Sequence, residues 1–326
     1  MLHLCRASLA IIALLWPGLA LPQGATGAFP SRPVTFIIPL AAGGPVDGEV
    51  RLYSAKAAEV MGQPFLMDFK PGAAGTIAAG YVAKAAPDGH TLLVVSGSFP
   101  TFSILYRNLP FDPLLDLAPL TLMSKRPQLL LVSPAFPGRN ITDYVNFAKA
   151  NPAKINFGTT GEGSGTHLGG AWLHSATNTR VTFVHYKGTG PLLPDLMAGR
   201  LDVTLAALSV SLPLTKAGKV RALAMLGDKR TPLLPDLPTV AEQTVPGYDY
   251  SGWTGFSAPG ATPQAIVNRL NQGFIKVARL PEVSAALEAS GNVAVGSTPA
   301  EFRQLLVIET DRWKKVAQEV GIKPEG

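Results

Sequence analysis

Two glycine-rich loops in the sequence combine residue types that bind anions. The first follows an apolar run at residues 34–38 and contains Gly43 and Gly44, just before a predicted helix that begins near Asp47. A strand, a glycine loop and a helix start together present free backbone N–H groups and the positive end of a helix dipole. Glycine turns at such places are also common for steric reasons alone. Taken by itself, this stretch fits an anion site and a plain turn alike.

The second loop, residues 158–167, is dense in hydroxyl groups and also lies between a predicted strand and a predicted helix. Hydroxyls and backbone N–H groups at a helix start suit a carboxylate or phosphate oxygen. It is not a Walker loop, and it lacks the dinucleotide fingerprint because Thr166 stands where the third glycine belongs. The alternative is a glycine-rich turn capped by Ser164 or Thr166.

A secreted serine hydrolase or esterase that uses Ser164 and His167 is the competing hypothesis. Ser164 stands one position late for a Gly-x-Ser-x-Gly elbow, and His167 fits better as a residue that caps or braces the loop. The histidines have no metal-ligand spacing, and His167 and His174 share one face of a predicted helix. We therefore predict a protein that is not an enzyme, with no catalytic constellation, no metal and no cofactor.

Composition indicates a globular protein of about two domains, since the chain has 326 residues and 47% of them are hydrophobic. The formal net charge is +6, but lysines and arginines are dispersed. Nucleic-acid binding usually needs a clustered basic face, so we expect no nucleic-acid partner. A mildly basic surface suits attraction of small anions.

The first residues have the pattern of an export signal. Arg6 precedes an apolar run at residues 7–16, and small residues follow. We predict a signal peptide within residues 1–28, cleaved after Ala20 or Ala28. Cys5, the only cysteine of the sequence, lies inside it. The mature protein is therefore expected to be free of cysteine and periplasmic.

The two loops must be positioned by strands and helices that alternate along the chain. Strand, helix, strand, helix, strand over residues 34–96 favours a parallel sheet with loops at the carboxyl ends of its strands. A stretch at 108–128 is predicted to be a connection, and a second alternating series follows over 129–226. Three helices and one strand are expected to close the chain, the last helix, 301–320, packing back across the first domain. Two series imply two lobes with a cleft.

The chain resembles the extracytoplasmic solute receptors of tripartite tricarboxylate transporters, called Bug proteins. The resemblance covers essentially the whole mature chain and rests on short markers in a family-like order. These are residues 29–33, 43–47, 71–75, 86–89, 109–113, 161–167, 186–188, 216–219, 237–240 and 296–299.

This resemblance implies a type II periplasmic-binding-protein fold, in which two α/β domains are joined by two crossover strands around a ligand cleft. The crossovers are expected near residues 122–132 and 248–258. Domain 1 would comprise residues 29–125 and 252–326, and domain 2 residues 126–251. The implied function is capture of a small organic carboxylate by cleft closure, by a monomer that serves a membrane permease or a sensor kinase.

The family's ligand site implies contacts through backbone N–H groups, hydroxyls and water, without an arginine salt bridge. Asp47 would pair with the amine of a ligand that carries one. The ligand-binding residues expected here are Gly43, Gly44, Asp47, Ser96, Ser98, Thr159, Thr160, Gly163, Ser164, Thr166, His167, Lys187, Gly188 and Thr189.

Several residues depart from the family pattern at this site. Ala41 and Ala42 replace prolines, Pro45 and Val46 replace Ser and Thr, Ala206 and Ala207 replace Asp-Asn, and Glu162 replaces Asn. Pro45 has no N–H and Val46 has no hydroxyl, so the first loop offers fewer donors. We therefore expect a preference for a ligand with one carboxylate and an apolar body over citrate-like tricarboxylates.

Overall fold

The computed structural model of the chain describes residues 29–40, 42, 45–319 and 321. The predicted signal segment, residues 1–28, lies outside the described residues, as do Gly43 and Gly44 of the first loop. No helix among the described residues is long and apolar enough to cross a membrane.

Within the described residues the chain forms eleven β-strands and eleven α-helices, which alternate through most of its length. The strands are β1 Val34–Ile38, β2 Phe65–Phe69, β3 Thr91–Ser96, β4 Leu117–Arg126, β5 Gln128–Val132, β6 Asn156–Thr159, β7 Thr182–His185, β8 Val203–Ala207, β9 Arg221–Met225, β10 Gly252–Pro259 and β11 Val293–Ala294. The helices are α1 Pro45–Met61, α2 Thr76–Ala83, α3 Phe102–Leu105, α4 Ile141–Ala150, α5 Gly165–Ala176, α6 Thr189–Met197, α7 Leu208–Lys216, α8 Val240–Gln243, α9 Gln264–Ala278, α10 Pro281–Ala289 and α11 Pro299–Glu319.

The first sheet is built from both ends of the chain, with strand order β11-β4-β10-β3-β1-β2. Strand β1 pairs in parallel with β2 and with β3, as the alternating pattern predicted. Strand β10 is antiparallel to both β3 and β4. Helices cover both faces of this sheet. Within it, Phe36 of β1 stacks on Phe256 of β10 with ring centroids 4.5 Å apart. The returning strand β10 thus lies in the middle of the sheet, beside β3.

The second sheet comes from one continuous stretch of chain, with strand order β7-β6-β8-β5-β9. Strand β6 is parallel to β7 and β8, and β5 is antiparallel to β8 and β9. The chain passes from the first sheet to the second between Arg126 and Gln128, and it returns between Met225 and Gly252. Two connections therefore join the two sheets.

The prediction of a connecting stretch at 108–128 is wrong, because strand β4 occupies Leu117–Arg126. Eight of its ten residues are buried, so apolar and polar positions do not alternate along it. Pro119 also made a strand unexpected, because proline has no N–H to donate to a neighbouring strand. The described part of β11 pairs with β4 only at Ser124 and Lys125, so at Pro119 the strand has β10 as its one named neighbour. A proline without an N–H is tolerated at such an edge.

Helix α11 packs across more of the molecule than the sequence predicted. Its first half places Phe302 and Leu306 in the core beneath the first sheet, as expected. Its second half places Trp313 and Val316 in a buried cluster with Leu168 of α5, beside the second sheet. One helix therefore contacts the structures built around both sheets.

Candidate functional site

A cleft of about 1250 Å³ is lined by residues from both sheets and from the two connections between them. Much of its wall comes from the residues that follow strands at their carboxyl ends: Leu40 after β1, Ser98 after β3 and Thr160 after β6. This is where ligands bind in open α/β sheets. The cleft is therefore the candidate site.

The hydroxyl-rich loop forms one wall and leads into α5. Thr160 donates its backbone N–H to Thr166 Oγ1 at 2.8 Å, and the two threonine hydroxyls lie 2.9 Å apart. Ser164 is the N-cap of α5 and accepts a hydrogen bond from the backbone N–H of His167 at 3.3 Å. Of the two caps that the alternative interpretation allowed, Ser164 and Thr166, the structure has the one at Ser164, and the same hydroxyls also line the cleft.

The first turn of α5 leaves backbone donors available. The N–H groups of Gly165 and Thr166 make no hydrogen bond with another described residue, whereas the N–H groups of His167 and Leu168 bond to Ser164. Helices always begin with such unpaired donors, and they attract anions together with the dipole. Both residues line the cleft, so this helix end can bind an acidic group.

His167 braces the loop, as expected. The backbone N–H of Gly163 donates to His167 Nδ1 at 3.1 Å, so the neutral ring carries its proton on Nε2. Burial, together with the neighbouring His185, lowers the pKa of His167 to about 4, while the charge of Glu162 opposes the shift. At neutral pH the imidazole is therefore uncharged. It contributes no cation to the cleft.

The Ser164 hydroxyl does not form a catalytic pair with this imidazole. Its Oγ donates to the carbonyl of Gly161 at 2.6 Å and lies 3.0 Å from Thr166 Oγ1. In the described chain no hydrogen bond joins Ser164 Oγ to the ring of His167. The general-base contact that a serine nucleophile needs is missing from this arrangement.

Apolar residues from both sheets and their adjoining helices also line the cleft. Leu40 and Val46 line it from the first sheet, and Ala206 and Ala207 line it from the second. Three of these, Val46, Ala206 and Ala207, are positions where the sequence departs from the family pattern. Val46 is buried at the start of α1, where a hydroxyl would otherwise add a donor.

The structure brings eight of the predicted ligand-binding residues to the cleft wall. These are Ser96, Ser98, Thr160, Gly163, Ser164, Thr166, His167 and Thr189. Among the described residues, Asp47, Thr159, Lys187 and Gly188 do not line it. Asp47 forms an ion pair with Arg51 at 2.8 Å, and Thr159 is fully buried with its Oγ1 2.7 Å from His185 Nδ1. Ligand binding by all of these residues, and by Gly43 and Gly44, stays a prediction.

Sequence reasoning missed the polar residues that the two connections bring to the cleft. Arg126, Gln128 and Tyr250 all line it. The stretch that contains Arg126 and Gln128, residues 108–128, was predicted to be a connection. The signal available was three polar residues, Lys125, Arg126 and Gln128, between two apolar segments at the expected crossover.

Arg126 is buried, and its guanidinium is held by one neighbouring strand, β10, and by helix α1. Nη1 donates to Glu49 Oε1 at 3.1 Å and bonds to Thr254 Oγ1, and Nη2 donates to the carbonyl of Trp253 at 3.0 Å. Glu49 also accepts from Ser124 Oγ at 2.7 Å. A buried charge is tolerated only with a partner and with hydrogen bonds of this kind.

Comparison with known proteins places the chain in a family. Residues 50–322 match the sequence pattern described as "Tripartite tricarboxylate transporter family receptor". The structure of the R. palustris protein Rpa4515 with adipate is similar, with a TM-score of 0.80 and 35% identity, covering 91% of this chain and 100% of that one.

Two further solved structures agree. The periplasmic binding protein BugD has a TM-score of 0.78 and 29% identity, covering 91% of this chain and 100% of that one. MatC from Rhodopseudomonas palustris with bound malate has a TM-score of 0.76 and 34% identity, covering 88% and 99% of the two chains. The predicted two-domain periplasmic-binding fold is confirmed, and the chain belongs to the receptor family of the tripartite tricarboxylate transporters.

Proposed function

We propose that this chain is a periplasmic receptor that captures a small organic carboxylate in the cleft and delivers it to a membrane permease or reports it to a sensor. The observation that carries the proposal is the start of α5, where Gly165 and Thr166 line the cleft among hydroxyls and their N–H groups make no hydrogen bond with another described residue. The relatives solved with adipate and with malate support a carboxylate as the ligand.

Recognition would work through neutral donors. A carboxylate oxygen at the helix start accepts hydrogen bonds from the two N–H groups, and the dipole adds a favourable field. Because His167 is uncharged at neutral pH, affinity does not depend on an imidazolium. The Thr160 and Thr166 hydroxyls bond to each other at the cleft wall, and each can rotate to donate to a bound anion instead.

The two sheets would move as two lobes. The proposed division is residues 29–125 with 252–326 for one lobe and 126–251 for the other. The separate sheets, joined by two connections, support this division. Closure of the lobes would expel water from the cleft and strengthen each hydrogen bond to the ligand. A monomer suffices for this, because both walls come from one chain.

We infer that the chain is not an enzyme. The Ser164 hydroxyl is used as a helix cap and has no hydrogen bond to the imidazole of His167 in the described chain. A hydrolase would require both groups to be rearranged. Turnover of a chromogenic ester that disappears in Ser164→Ala would overturn this inference.

The main test is ligand binding by protein that has been unfolded and refolded to remove carried-over ligand. We expect calorimetry to find a carboxylate that binds, and at 100 times its Kd the ligand should add about 2.7 kcal/mol to stability. A protein that binds no member of a broad panel of mono-, di- and tricarboxylates would contradict the proposal.

A matched pair of cap variants locates the site. Ser164→Ala removes the N-cap of α5, and Asn140→Ala removes the N-cap of α4, which lies away from the cleft lining. Each should cost about 1 kcal/mol of stability. Only Ser164→Ala should weaken carboxylate binding. Equal affinity in the two variants would show that the α5 start is not the site.

A further inference from the structure

His185 lies on the cleft wall beside the hydroxyl-rich loop. It is the last residue of β7, at the edge of the second sheet, and it stands opposite Thr159 of β6 in the strand register. Its side chain is exposed, and both His185 and His167 line the cleft. His185 does not belong to the set of ligand-binding residues predicted from the sequence, so its place in the cleft has no assigned role.

The imidazole of His185 is oriented by a buried hydroxyl. Thr159 Oγ1 lies 2.7 Å from His185 Nδ1, and the same hydroxyl donates to the carbonyl of Gly161 at 3.2 Å. An oxygen that donates elsewhere can accept from an Nδ1–H, which is the arrangement that a protonated ring needs. Nε2 makes no hydrogen bond with another residue of the described chain. The ring is therefore held at one nitrogen and keeps the other for a partner from outside the protein.

A second imidazole adjoins the first. The ring centroids of His185 and His167 lie 4.7 Å apart, and His167 belongs to the first turn of α5. Two positive charges at this separation repel each other, so the pair holds one proton more readily than two. Burial, with His185 beside it, lowers the pKa of His167 to about 4. The exposed ring of His185 is therefore the one that takes up a proton as the pH falls.

The other charges near this pair do not neutralise it. Among the described residues that line the cleft, Glu162 carries the one carboxylate and Arg126 the one permanent cation. The charge of Glu162 favours a protonated imidazole at His167, and Arg126 is paired in the interior. Lys187 follows two positions after His185 but does not line the cleft. His185 itself has no ion pair with a described residue, so its charge is available to a ligand.

We propose that His185 is a ligand contact that takes up a proton together with a carboxylate, so that the cleft binds acids more tightly below neutral pH. This inference rests on the proposed function, because the carboxylate at the start of α5 is the charge that favours the proton. An anion beside an imidazole stabilises its charged form. By linkage, the charged imidazole strengthens binding of the anion by the same factor. Above neutral pH, recognition rests on the neutral donors.

The test measures acid affinity at two pH values. Refolded protein is titrated by calorimetry with hexanoate, adipate and malate, each at pH 8.0 and at pH 6.0. We expect the acid that binds most tightly to bind about fivefold more tightly at pH 6.0, the change that follows when an adjacent carboxylate raises an imidazole pKa by about one unit. Affinity that is unchanged or weaker at pH 6.0 overturns the inference and leaves the proposed function standing.

Proton uptake is measured directly in the same experiment. Titrations at pH 6.5 in two buffers of different ionisation enthalpy give the number of protons bound with the ligand. We expect uptake of roughly half a proton per ligand, because a histidine near its ordinary pKa is already half protonated there. Release of protons, or no exchange, overturns the inference.

A pair of variants assigns the proton to one ring. His185→Gln keeps a polar side chain that cannot be charged, and it should lose both the gain in affinity at pH 6.0 and the proton uptake. His90→Gln is the control, because His90 is buried outside the cleft lining, and it should keep both. Proton uptake that persists in His185→Gln overturns the inference. If wild type binds none of the three acids at either pH, this inference and the proposed function fail together.

Discussion

Arg126 Nη1 lies 3.1 Å from Glu49 Oε1 in the interior of the protein, 77 positions apart along the chain. The carboxylate of Glu49 is further covered by Ser124 Oγ at 2.7 Å and Asn292 Nδ2 at 2.9 Å. The pair ties α1 to β4 and to the segment just before β11. It therefore fixes one end of a crossover to the body of the first sheet.

Removing one partner of this pair should be costly. Arg126→Met leaves the carboxylate of Glu49 buried without its cation, and we expect a loss of about 3–5 kcal/mol in the free energy of unfolding. Urea denaturation measures it. The double variant Glu49→Gln with Arg126→Met should recover a large part of the loss, because no charge is then left unpaired. Additive losses in the double variant would argue against a coupled pair.

Gly163 should be required for tight ligand binding. Its φ of +67° is in the left-handed region, and a Cβ there would lie 2.8 Å from Leu105 Cδ2, a residue of α3. We expect Gly163→Ala to weaken every carboxylate ligand about tenfold by displacing the loop. Gly190→Ala is the control, because that glycine in α6 has open space around it. If calorimetry finds the same ligand affinity in both variants, the turn at Gly163 has no role in ligand binding.

Acid should destabilise the protein through two buried imidazoles. Burial lowers the pKa of His174 to about 3, and burial with His185 lowers that of His167 to about 4. The unfolded chain takes up these protons near pH 6.5, so it binds more protons than the folded chain below that pH. The contribution of these two histidines to the free energy of unfolding should therefore be constant above pH 6.5. It should fall as the pH drops toward 4.

The variant His174→Gln isolates one of these groups. Each buried histidine contributes a slope of at most about 1.4 kcal/mol per pH unit. Unfolding free energies measured from pH 7.5 to 4.5 should fall less steeply in the variant than in wild type. Parallel curves would show that His174 is protonated equally in the folded and unfolded chains.

The second half of α11 should contribute strongly to stability. Trp313 is 3% exposed, donates its indole N–H to Glu309 Oε2 at 2.9 Å and meets Trp172 edge to face. We expect Trp313→Ala to cost about 3–5 kcal/mol. Val307→Ala in the same helix is the control, because Val307 is 41% exposed and should change stability by less than about 0.5 kcal/mol. Similar losses of stability in both variants would show that packing of the Trp313 side chain does not stabilise the protein.

Elements with local signals were predictable from the sequence. Strands β1 and β3 appear as apolar runs that end in small-residue loops, and Ser164 has the sequence context of an N-cap. These features depend on neighbours only a few positions away. For the same reason the hydroxyl-rich wall of the cleft was found before the structure.

Features that depend on distant pairing were not predictable. Strand β4 is buried on both faces and lacks alternation, so it resembled a connection. Arg126 reaches Thr254, 128 positions away, and Asn292 reaches Glu49, 243 positions away. No spacing within one segment encodes such contacts, so the place of Arg126 in the cleft wall could not be read from the sequence. Tyr250 likewise enters the cleft only because β10 returns beside β3.

The continuity of the second sheet sets an order of assembly. All five of its strands lie between residues 128 and 225, whereas the first sheet needs β10 and β11 from beyond residue 251. A chain that is synthesised from its N-terminus therefore has every strand of the inserted sheet before β3 and β4 can pair with β10. The hydrogen bond from Asn292 to Glu49 cannot form during that interval. The first sheet, which contains the N-terminal strands, is therefore completed after the second sheet.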